Sequence, residues 1–559
     1  MKTLCGTSIT LACALLLAGC SSQTTIRETV VSDDVGAYRA PPAAPPPPAP
    51  AMMSRSGVLG YATSQRAIVA PAPWLVVPPS TDKFPDKEAG KAILVADQPV
   101  STFSADVDTA SYAFVRRLLS AGRMPAPEAV RVEEMVNYFP YRYAAPKNSR
   151  VPFAVSTEVM PSPWKAGNQL VHIAVRGYDL QNAQRPRANV VLLVDVSGSM
   201  MGQDRLPLLK QGFHLFAERL RDDDRVAIVT YANGTAVALE PTPGSERRKI
   251  LDAIDALHAG GGTAGGEGLQ RAYALAERNF DREAVNRVVL ATDGDFNVGI
   301  TDPRQLEQFV AGKRKSGVYL SILGVGEGNL NDALMQRLAQ SGNGNAAYID
   351  TLMEAGKALG EELGSTMFPI ANDVKVQVEF NPERVAAYRL IGYETRMLQR
   401  QDFKDDKVDA GDMGAGHTVT AIYEITPSAA AGILVDPLRY GKENTAKAAS
   451  SGGDELCFVK LRYKLPGEAG SRLVEHPVRA GSARARFEAA PDDQRFAVAV
   501  AAFGQRLRGE APLADTSYEQ IAAMANAARG PDPEGYRAEF VKLVRMADAL
   551  GKVAQAGQP

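Results

Sequence analysis

The chain has 559 residues, more than one hydrophobic core organises, so its length predicts several domains joined by linkers. Hydrophobic residues make up 45% and charged residues 23%, which is typical of a folded globular protein and excludes a polytopic membrane protein or a wholly disordered chain. The formal net charge of -2 gives no reason to expect binding to nucleic acid or to an anionic membrane surface.

Cysteine and histidine are too scattered to build a zinc or iron-sulfur site. The four cysteines stand at positions 5, 13, 20 and 457, and the sequence contains no CxxC or HExxH spacing. Any metal ion would therefore be a hard cation bound by oxygen atoms.

The N-terminus has the pattern of a secretory signal. Residues 1–19 begin with Lys2 and continue into the apolar run LACALLLAG, which is too short to span a bilayer as a helix. The signal ends in Leu17-Ala18-Gly19-Cys20, which resembles the lipobox of bacterial lipoproteins. The resemblance implies lipidation of Cys20, and the following Ser21 favours the outer membrane of a Gram-negative bacterium. We therefore expect a lipid-anchored protein of the cell envelope.

Residues 20–95 are rich in proline and alanine, with PPAAPPPPAP at 41–50. This composition cannot bury enough apolar surface to fold and predicts a disordered, semi-stiff tether. At roughly 3 Å per extended residue, the tether holds the folded part on the order of 100 Å from the lipid.

Residues 96–186 form a predicted region of helices and strands. The runs STFSADVDTASYAFVRRLL and AVRVEEMVNYF have a helical period, and Asp108 is the expected N-cap of the first helix. Phe153 and Val155 then alternate with polar or small residues, which indicates a strand.

Residues 187–366 form a predicted α/β domain with a doubly wound (Rossmann-like) parallel sheet. Four apolar runs read as buried parallel strands, with amphipathic helices between them: Val190 to Asp195, Val226 to Tyr231, Val288 to Thr292 and Val318 to Gly324. Ligands of such sheets bind at the carboxyl ends of the strands.

Polar residues follow these strand ends in a recognisable order. Asp195, Ser197 and Ser199 come after the first strand, Thr263 stands in the glycine-rich loop 260–266, and Asp293 comes after the third strand. Together they resemble the DxSxS…T…D signature of the von Willebrand factor A domain and its metal-ion-dependent adhesion site.

The resemblance implies a bound Mg²⁺ (or Mn²⁺) and a role for each of these residues. Ser197, Ser199 and Thr263 would be direct ligands, and Asp195 and Asp293 would act mainly through water. Few charged oxygens would then touch the ion, so it stays electrophilic towards one more ligand. In this family that ligand is an Asp or Glu side chain of a protein partner.

Period-two runs return in residues 367–485, and helical stripes return in residues 486–559. Because strands flank the α/β domain on both sides, we expect one β-sandwich into which that domain is inserted. Blocks at 101–140, 389–396, 405–425 and 532–540 resemble a bacterial group of von Willebrand factor A domain lipoproteins with their own N- and C-terminal extensions.

Two functional interpretations stay open, of which the first is a non-enzymatic adhesion or scaffold module that binds an acidic partner through the metal. The alternative is a metal-dependent hydrolase of the cell envelope. The Asp106-Val107-Asp108 segment departs from the phosphatase pattern DxDx[TV] because Ala110 ends it. Gly260, Gly262 and Gly265 follow a helical segment rather than a strand, which argues against a bound nucleotide.

Overall fold

The computed structural model describes residues 82–85, 88–105, 108–146, 151–180, 185–262, 267–294, 302–328, 330–362, 368–408, 410–429, 453–468 and 470–556. All of them belong to the unit Val77–Pro559. The predicted signal, Cys20 and residues 20–81 of the predicted tether lie outside these ranges. Within the described ranges, every helix is too short or too polar to cross a lipid bilayer.

The described chain contains strands before, within and after the predicted α/β domain. In chain order the strands are β1 Ile93–Leu94, β2 Val100–Ser104, β3 Phe153–Pro161, β4 Gln169–Gly177, β5 Arg187–Asp195, β6 Arg225–Tyr231, β7 Thr235–Pro243, β8 Ala284–Thr292, β9 Val318–Val325, β10 Ala346–Ile349, β11 Pro369–Phe380, β12 Val385–Leu390, β13 Met413–Gly414, β14 Thr418–Pro427, β15 Glu455–Lys464 and β16 Ser471–Arg479. The α-helices are α1 Ala110–Ser120, α2 Val132–Asn137, α3 Leu206–Glu218, α4 Arg247–Asp255, α5 Gly268–Arg278, α6 Pro303–Lys315, α7 Asp332–Ser341, α8 Leu352–Gly356, α9 Asp492–Leu507, α10 Tyr518–Ala527 and α11 Tyr536–Ala556.

The predicted doubly wound sheet is confirmed. Six strands pair in the order β10-β9-β8-β5-β6-β7, and all neighbours are parallel except the edge strand β7. Alternate residues of β5 enter two different cores: Leu192 and Val194 pack with α3 and α4, whereas Val191 and Leu193 pack with α5 and α6. Both faces of the sheet are therefore covered, as a run of nine mostly apolar residues requires.

The expected β-sandwich is also confirmed. One sheet has the order β1-β12-β14-β4-β3, and the other has the order β13-β11-β15-β16 with β2 beside β11. Residues of β4 and β14 pair with each other although more than two hundred positions separate them, as in Val171 and Tyr423. These two side chains share one core with Val376 of the second sheet. The sandwich is thus assembled from both sides of the α/β domain.

The C-terminal helices cover the outer face of the first sheet. Phe496 and Phe503 of α9 form a buried cluster with Phe540 of α11, whose ring centroid lies 5.4 Å from that of each of the other two. The same core includes Leu170 of β4 and Ile422 of β14. Both predicted helical stripes are therefore core contacts, and a third helix, α10, lies between them in the chain.

Two local predictions before the α/β domain are wrong. The helical prediction included Ser101–Ser104, but these residues belong to β2, which is buried along its whole length and pairs with β11. Asp108 is not the N-cap of α1, because Thr109 takes that position. Its carboxylate instead accepts the backbone N–H of Ala346 at 2.8 Å and pairs with Arg396 at 2.5 Å.

The last part of the predicted tether packs against the folded unit. Lys83 forms a bridge with Asn331, and the Phe84 ring contacts Phe114 at a centroid distance of 5.0 Å. Ile93 and Leu94 pair with β12. Packed structure therefore begins before residue 96.

Candidate metal-binding site

The parallel sheet brings the predicted site residues to one edge. Asp195 ends β5 and stands opposite Tyr231, the last residue of β6, while Val194 stands opposite Ala291 of β8. Asp293 directly follows β8 and so emerges at the same carboxyl edge. This is the edge at which open α/β sheets bind their ligands.

The loop after β5 is folded by its own polar groups. Asp195 Oδ1 accepts the backbone N–H of Ser197 at 2.8 Å, and the hydroxyl oxygens of Ser197 and Ser199 lie 2.9 Å apart. The three residues that begin the DxSxS signature therefore have their oxygens gathered in one place.

The glycine-rich loop is tied to this first loop through the backbone. Gly260 N–H donates to Val196 O at 2.8 Å, and Gly198 N–H donates to Gly261 O at 2.9 Å. A side chain at position 198 would bring a Cβ within 3.0 Å of Gly261 O, so glycine permits this approach. Thr263 lies outside the described residues, as does the lipidation candidate Cys20.

Both carboxylates of the site are buried and only partly satisfied. Asp195 is fully buried and Asp293 is 1% exposed. Asp195 Oδ2 and Asp293 Oδ1 have no hydrogen-bond partner of ordinary geometry within the described ranges. Burial raises the pKa of Asp195, and the neighbouring charge of Asp293 adds to that shift, while hydrogen bonding from Ser197 opposes it.

An arginine that the sequence analysis missed also enters the site. Arg205 Nη1 lies 2.9 Å from Asp293 Oδ2 and donates to Ser199 O at 2.5 Å, while its Nη2 donates to Glu327 O at 3.1 Å. Gly326 has a φ of 74°, and a Cβ there would lie 2.4 Å from Arg205 Nε. Glycine at position 326 therefore makes room for the guanidinium.

The arrangement has the chemistry of a divalent cation site. Two carboxylates face one guanidinium, so the site carries a net charge of about minus one when its acids are ionised, and one oxygen of each carboxylate lacks a hydrogen bond of ordinary geometry from the described residues. Two hydroxyls complete an all-oxygen donor set, which hard cations such as Mg²⁺ prefer. Among the described residues, no three His, Cys, Asp or Glu side chains converge to form a different kind of metal site.

In the described part of the chain, the histidines of the α/β domain do not pair with the serines of the site. A catalytic serine needs a base within hydrogen-bond distance. Within the described part of the chain, the hydrogen-bond partner of the Ser197 hydroxyl is Ser199, and His214 and His258 bond instead to Asp255 and to Ala256 O.

Three family models match successive parts of the chain. Residues 78–172 match "von Willebrand factor", residues 189–361 match "von Willebrand factor type A domain", and residues 365–550 match "Uncharacterized protein YfbK, C-terminal".

Relatives with known sequences include one that is similar over most of its length. "Uncharacterized protein YfbK" of Escherichia coli (strain K12) is 44% identical over 483 residues, which cover 85% of this chain and 83% of YfbK. "Uncharacterized protein sll0103" of Synechocystis is 30% identical over 185 residues, which cover 33% of this chain and 43% of that protein. "Inter-alpha-trypsin inhibitor heavy chain H2" of Sus scrofa is 24% identical over 195 residues, covering 34% of this chain and 21% of the heavy chain.

Among solved structures, "von Willebrand factor type A from Catenulispora acidiphila" is 20% identical and has a TM-score of 0.39. The similarity covers 72% of this chain and 91% of that chain.

Proposed function

Because the chain belongs to the YfbK family of von Willebrand factor type A proteins, we propose that it is a non-enzymatic interaction protein of the cell envelope. In this proposal it binds Mg²⁺ (or Mn²⁺) at Asp195, Ser197, Ser199, Thr263 and Asp293 and, through the metal, an Asp or Glu side chain of a protein partner. The observation that supports the metal most directly is the pair of buried carboxylate oxygens, Asp195 Oδ2 and Asp293 Oδ1, that lack a hydrogen-bond partner of ordinary geometry in the described ranges.

The charges of the site support an acidic partner. Arg205 neutralises one of the two carboxylates, so a bound divalent cation leaves about one positive charge uncompensated. The metal would supply an electrophilic position, and a partner's carboxylate is the group that neutralises it. Asp195 and Ser197 hold the first loop in shape, and the hydrogen bonds between loops 196–198 and 260–261 keep the second loop beside it.

Anchoring is the second half of the proposal. Lipidation of Cys20 would attach the chain to the membrane, most simply to the outer membrane of a Gram-negative bacterium, and the Pro/Ala-rich segment would separate the metal site from the lipid. A reach on the order of 100 Å suits a module that meets another protein.

Calorimetric titration of the full-length chain in detergent with Mg²⁺ and with Mn²⁺ tests the metal site. We expect saturable binding that is lost in Asp195→Asn and in Ser197→Ala. The matched control is Asp252→Asn, since Asp252 is an exposed acid of α4 that pairs with Arg248 at 2.9 Å, away from the site. Absence of binding by the wild-type chain, or equal binding by all variants, would overturn the proposal.

A turnover screen separates this function from the hydrolase alternative. The chain with Mn²⁺ is incubated with chromogenic phosphate and carboxylate esters. Because His214 and His258 bond to Asp255 and to Ala256 O rather than to Ser197 or Ser199, we expect no turnover above the metal-only blank. Turnover that Ser197→Ala abolishes would replace the interaction function by the enzymatic one.

A further inference from the structure

An apolar groove of about 690 Å³ lies beside the candidate metal site. It is bounded by Met200 and Met201, by the first turns of α3, by the segment 257–259 after α4 and by Leu352 at the start of α8. Met201 is 63% exposed and Leu352 is 44% exposed. Two large apolar side chains exposed at the rim of one groove are typical of an interaction site.

The groove shares its backbone with the two metal loops. Met200 directly follows Ser199, and Ala259 directly precedes Gly260, whose N–H donates to Val196 O at 2.8 Å. Since consecutive Cα atoms are about 3.8 Å apart, Met201 lies within about 8 Å of Ser199. A ligand bound at the metal therefore has the groove within reach of its neighbouring residues.

The polar side of the groove carries one ammonium group, Lys210, and one carboxylate, Asp255. Lys210 Nζ donates to Asp255 O at 2.8 Å and to Leu257 O at 3.1 Å, which fixes the ammonium group at the groove wall. The Asp255 carboxylate, the acid among the groove-lining residues, is paired with His214 at 2.8 Å. The groove thus combines apolar walls with one ammonium and one carboxylate group, and the positive charge that would draw an acidic ligand to this face is that of the proposed metal.

We propose that this groove binds apolar side chains of the same partner segment whose Asp or Glu reaches the metal. The occupant is an acidic segment of another protein with one or two large apolar residues within about three positions of the acid, because an extended chain advances about 3.3 Å per residue. The two methionines suit such a ligand, since a flexible thioether side chain adapts to several apolar shapes. The inference rests on the proposed metal-dependent function.

The test is a selection of random twelve-residue peptides displayed on phage, with the full-length chain immobilised in detergent with Mn²⁺. We expect the enriched peptides to contain Asp or Glu and, at a fixed offset from it, Leu, Ile, Phe or Met. A synthetic peptide of the enriched sequence is then titrated into three proteins: wild type, the double variant Met201→Gln with Leu352→Gln, and the control Val553→Gln. Val553 is 71% exposed near the end of α11 and matches the apolar-to-amide change.

The double variant should bind the peptide at least tenfold more weakly, with Mn²⁺ affinity changed less than twofold, and the control should match the wild type. Enrichment of the acid without an apolar residue at a fixed offset would overturn the groove inference and leave the metal-dependent function standing. Enrichment that is indifferent to Mn²⁺ and to Ser197→Ala would instead overturn the metal-dependent function. Absence of any enrichment would overturn the inference while calorimetry still decides on the metal.

A second copy of the chain is the competing occupant, and sedimentation identifies it. A wild-type dimer that the double variant converts to a monomer would assign the groove to self-association and overturn the proposal.

Discussion

Glu133 is a buried carboxyl group that should make the chain less stable as the pH rises. It lies in α2 with 2% exposure, and neither carboxylate oxygen accepts a hydrogen bond of ordinary geometry from the described residues. Burial raises the pKa of Glu133 to about 7, and the charges of Glu394 and Glu134 act in the same direction. The backbone N–H groups of Tyr393 and of Glu133 itself oppose the shift only in part.

The sign follows from proton linkage. A carboxyl group whose pKa is higher in the folded chain than its ordinary value of 4.5 binds protons more tightly when folded. The contribution of Glu133 to stability is therefore largest below pH 4.5 and is lost as the pH rises to about 7. Above pH 7 this group changes the free energy of unfolding little. Between pH 5 and pH 8 the loss in the free energy of unfolding is about 2–3 kcal/mol, since each pKa unit corresponds to roughly 1.4 kcal/mol.

The substitution Glu133→Gln keeps the side-chain shape and removes the titration. From pH 5 to pH 8, we expect the free energy of unfolding of the variant, measured relative to that of the wild type, to rise by about 2–3 kcal/mol. Any cost of the amide that does not depend on pH cancels in this comparison. Urea denaturation followed by tryptophan fluorescence measures it. Trp164 packs against the core that contains Val132 and Met135 of α2, so its emission reports the relevant part of the fold.

The neighbouring Glu134 provides a control of opposite sign. Its carboxylate pairs with Arg131 at 2.5 and 2.9 Å and accepts the backbone N–H of Ser111 at 2.9 Å. Glu134→Gln breaks a buried ion pair and should destabilise the chain at pH 8, by about 3–5 kcal/mol. If Glu133→Gln kept the wild-type pH dependence, or lost more stability at pH 8 than at pH 5, the reasoning about its burial would be refuted.

Three further predictions concern the metal site and the anchor. Asp195→Asn should raise the melting temperature of the metal-free chain by about 2–4 °C, because it removes a buried charge. It should also abolish the rise in melting temperature that Mg²⁺ causes in the wild type. Differential scanning fluorimetry measures both effects, and a Mg²⁺-dependent rise that persists in the variant would contradict the site. Arg205→Met should tighten Mn²⁺ binding about tenfold, or about 1.4 kcal/mol, because it frees the carboxylate of Asp293. Gly326→Ala should also tighten Mn²⁺ binding, because the added Cβ would displace the Arg205 guanidinium. Calorimetry that gave unchanged or weaker binding would contradict a competing role for Arg205. Cys20→Ala should move the chain from the membrane pellet to the supernatant after ultracentrifugation, because it removes the proposed lipid attachment. Continued sedimentation of the variant with membranes would count against that anchor.

Much of the α/β domain could be predicted because its strands carry their own signal. A strand buried on both faces, such as β5, is almost wholly apolar, and polar residues at its end are visible as a break in that run. The edge strand β7 was missed, since most of its side chains are exposed or only half-buried and its residues include two prolines near its end. Strand β2 was misread as a helix because burial on both sides removes the alternation that marks a strand.

The sequence alone could not predict which distant segments of the chain contact each other. The pairing of β4 with β14 joins residues about 250 positions apart, and each strand alone is compatible with many partners. Arg205 follows the DxSxS signature by only a few positions, yet nothing in its neighbours predicts that its guanidinium reaches Asp293 on another loop. The sequence therefore predicted the candidate ligand oxygens and missed the guanidinium that contacts one of the two carboxylates.

The environment of Arg205 shows that the metal face depends on parts of the chain outside the α/β domain. Arg117 of α1 donates to Asp204, next to Arg205, at 2.6 Å, and it pairs with Glu327, whose carbonyl oxygen holds Arg205. Helix α1 is in turn fixed on the parallel sheet by Phe114, which contacts Tyr348 at a centroid distance of 5.4 Å. A fragment limited to residues 187–366 would lose both contacts and expose the apolar surface that α1 covers. The position of the guanidinium, and with it the charge of the candidate metal site, is therefore a property of the whole folded unit rather than of the von Willebrand factor type A domain alone.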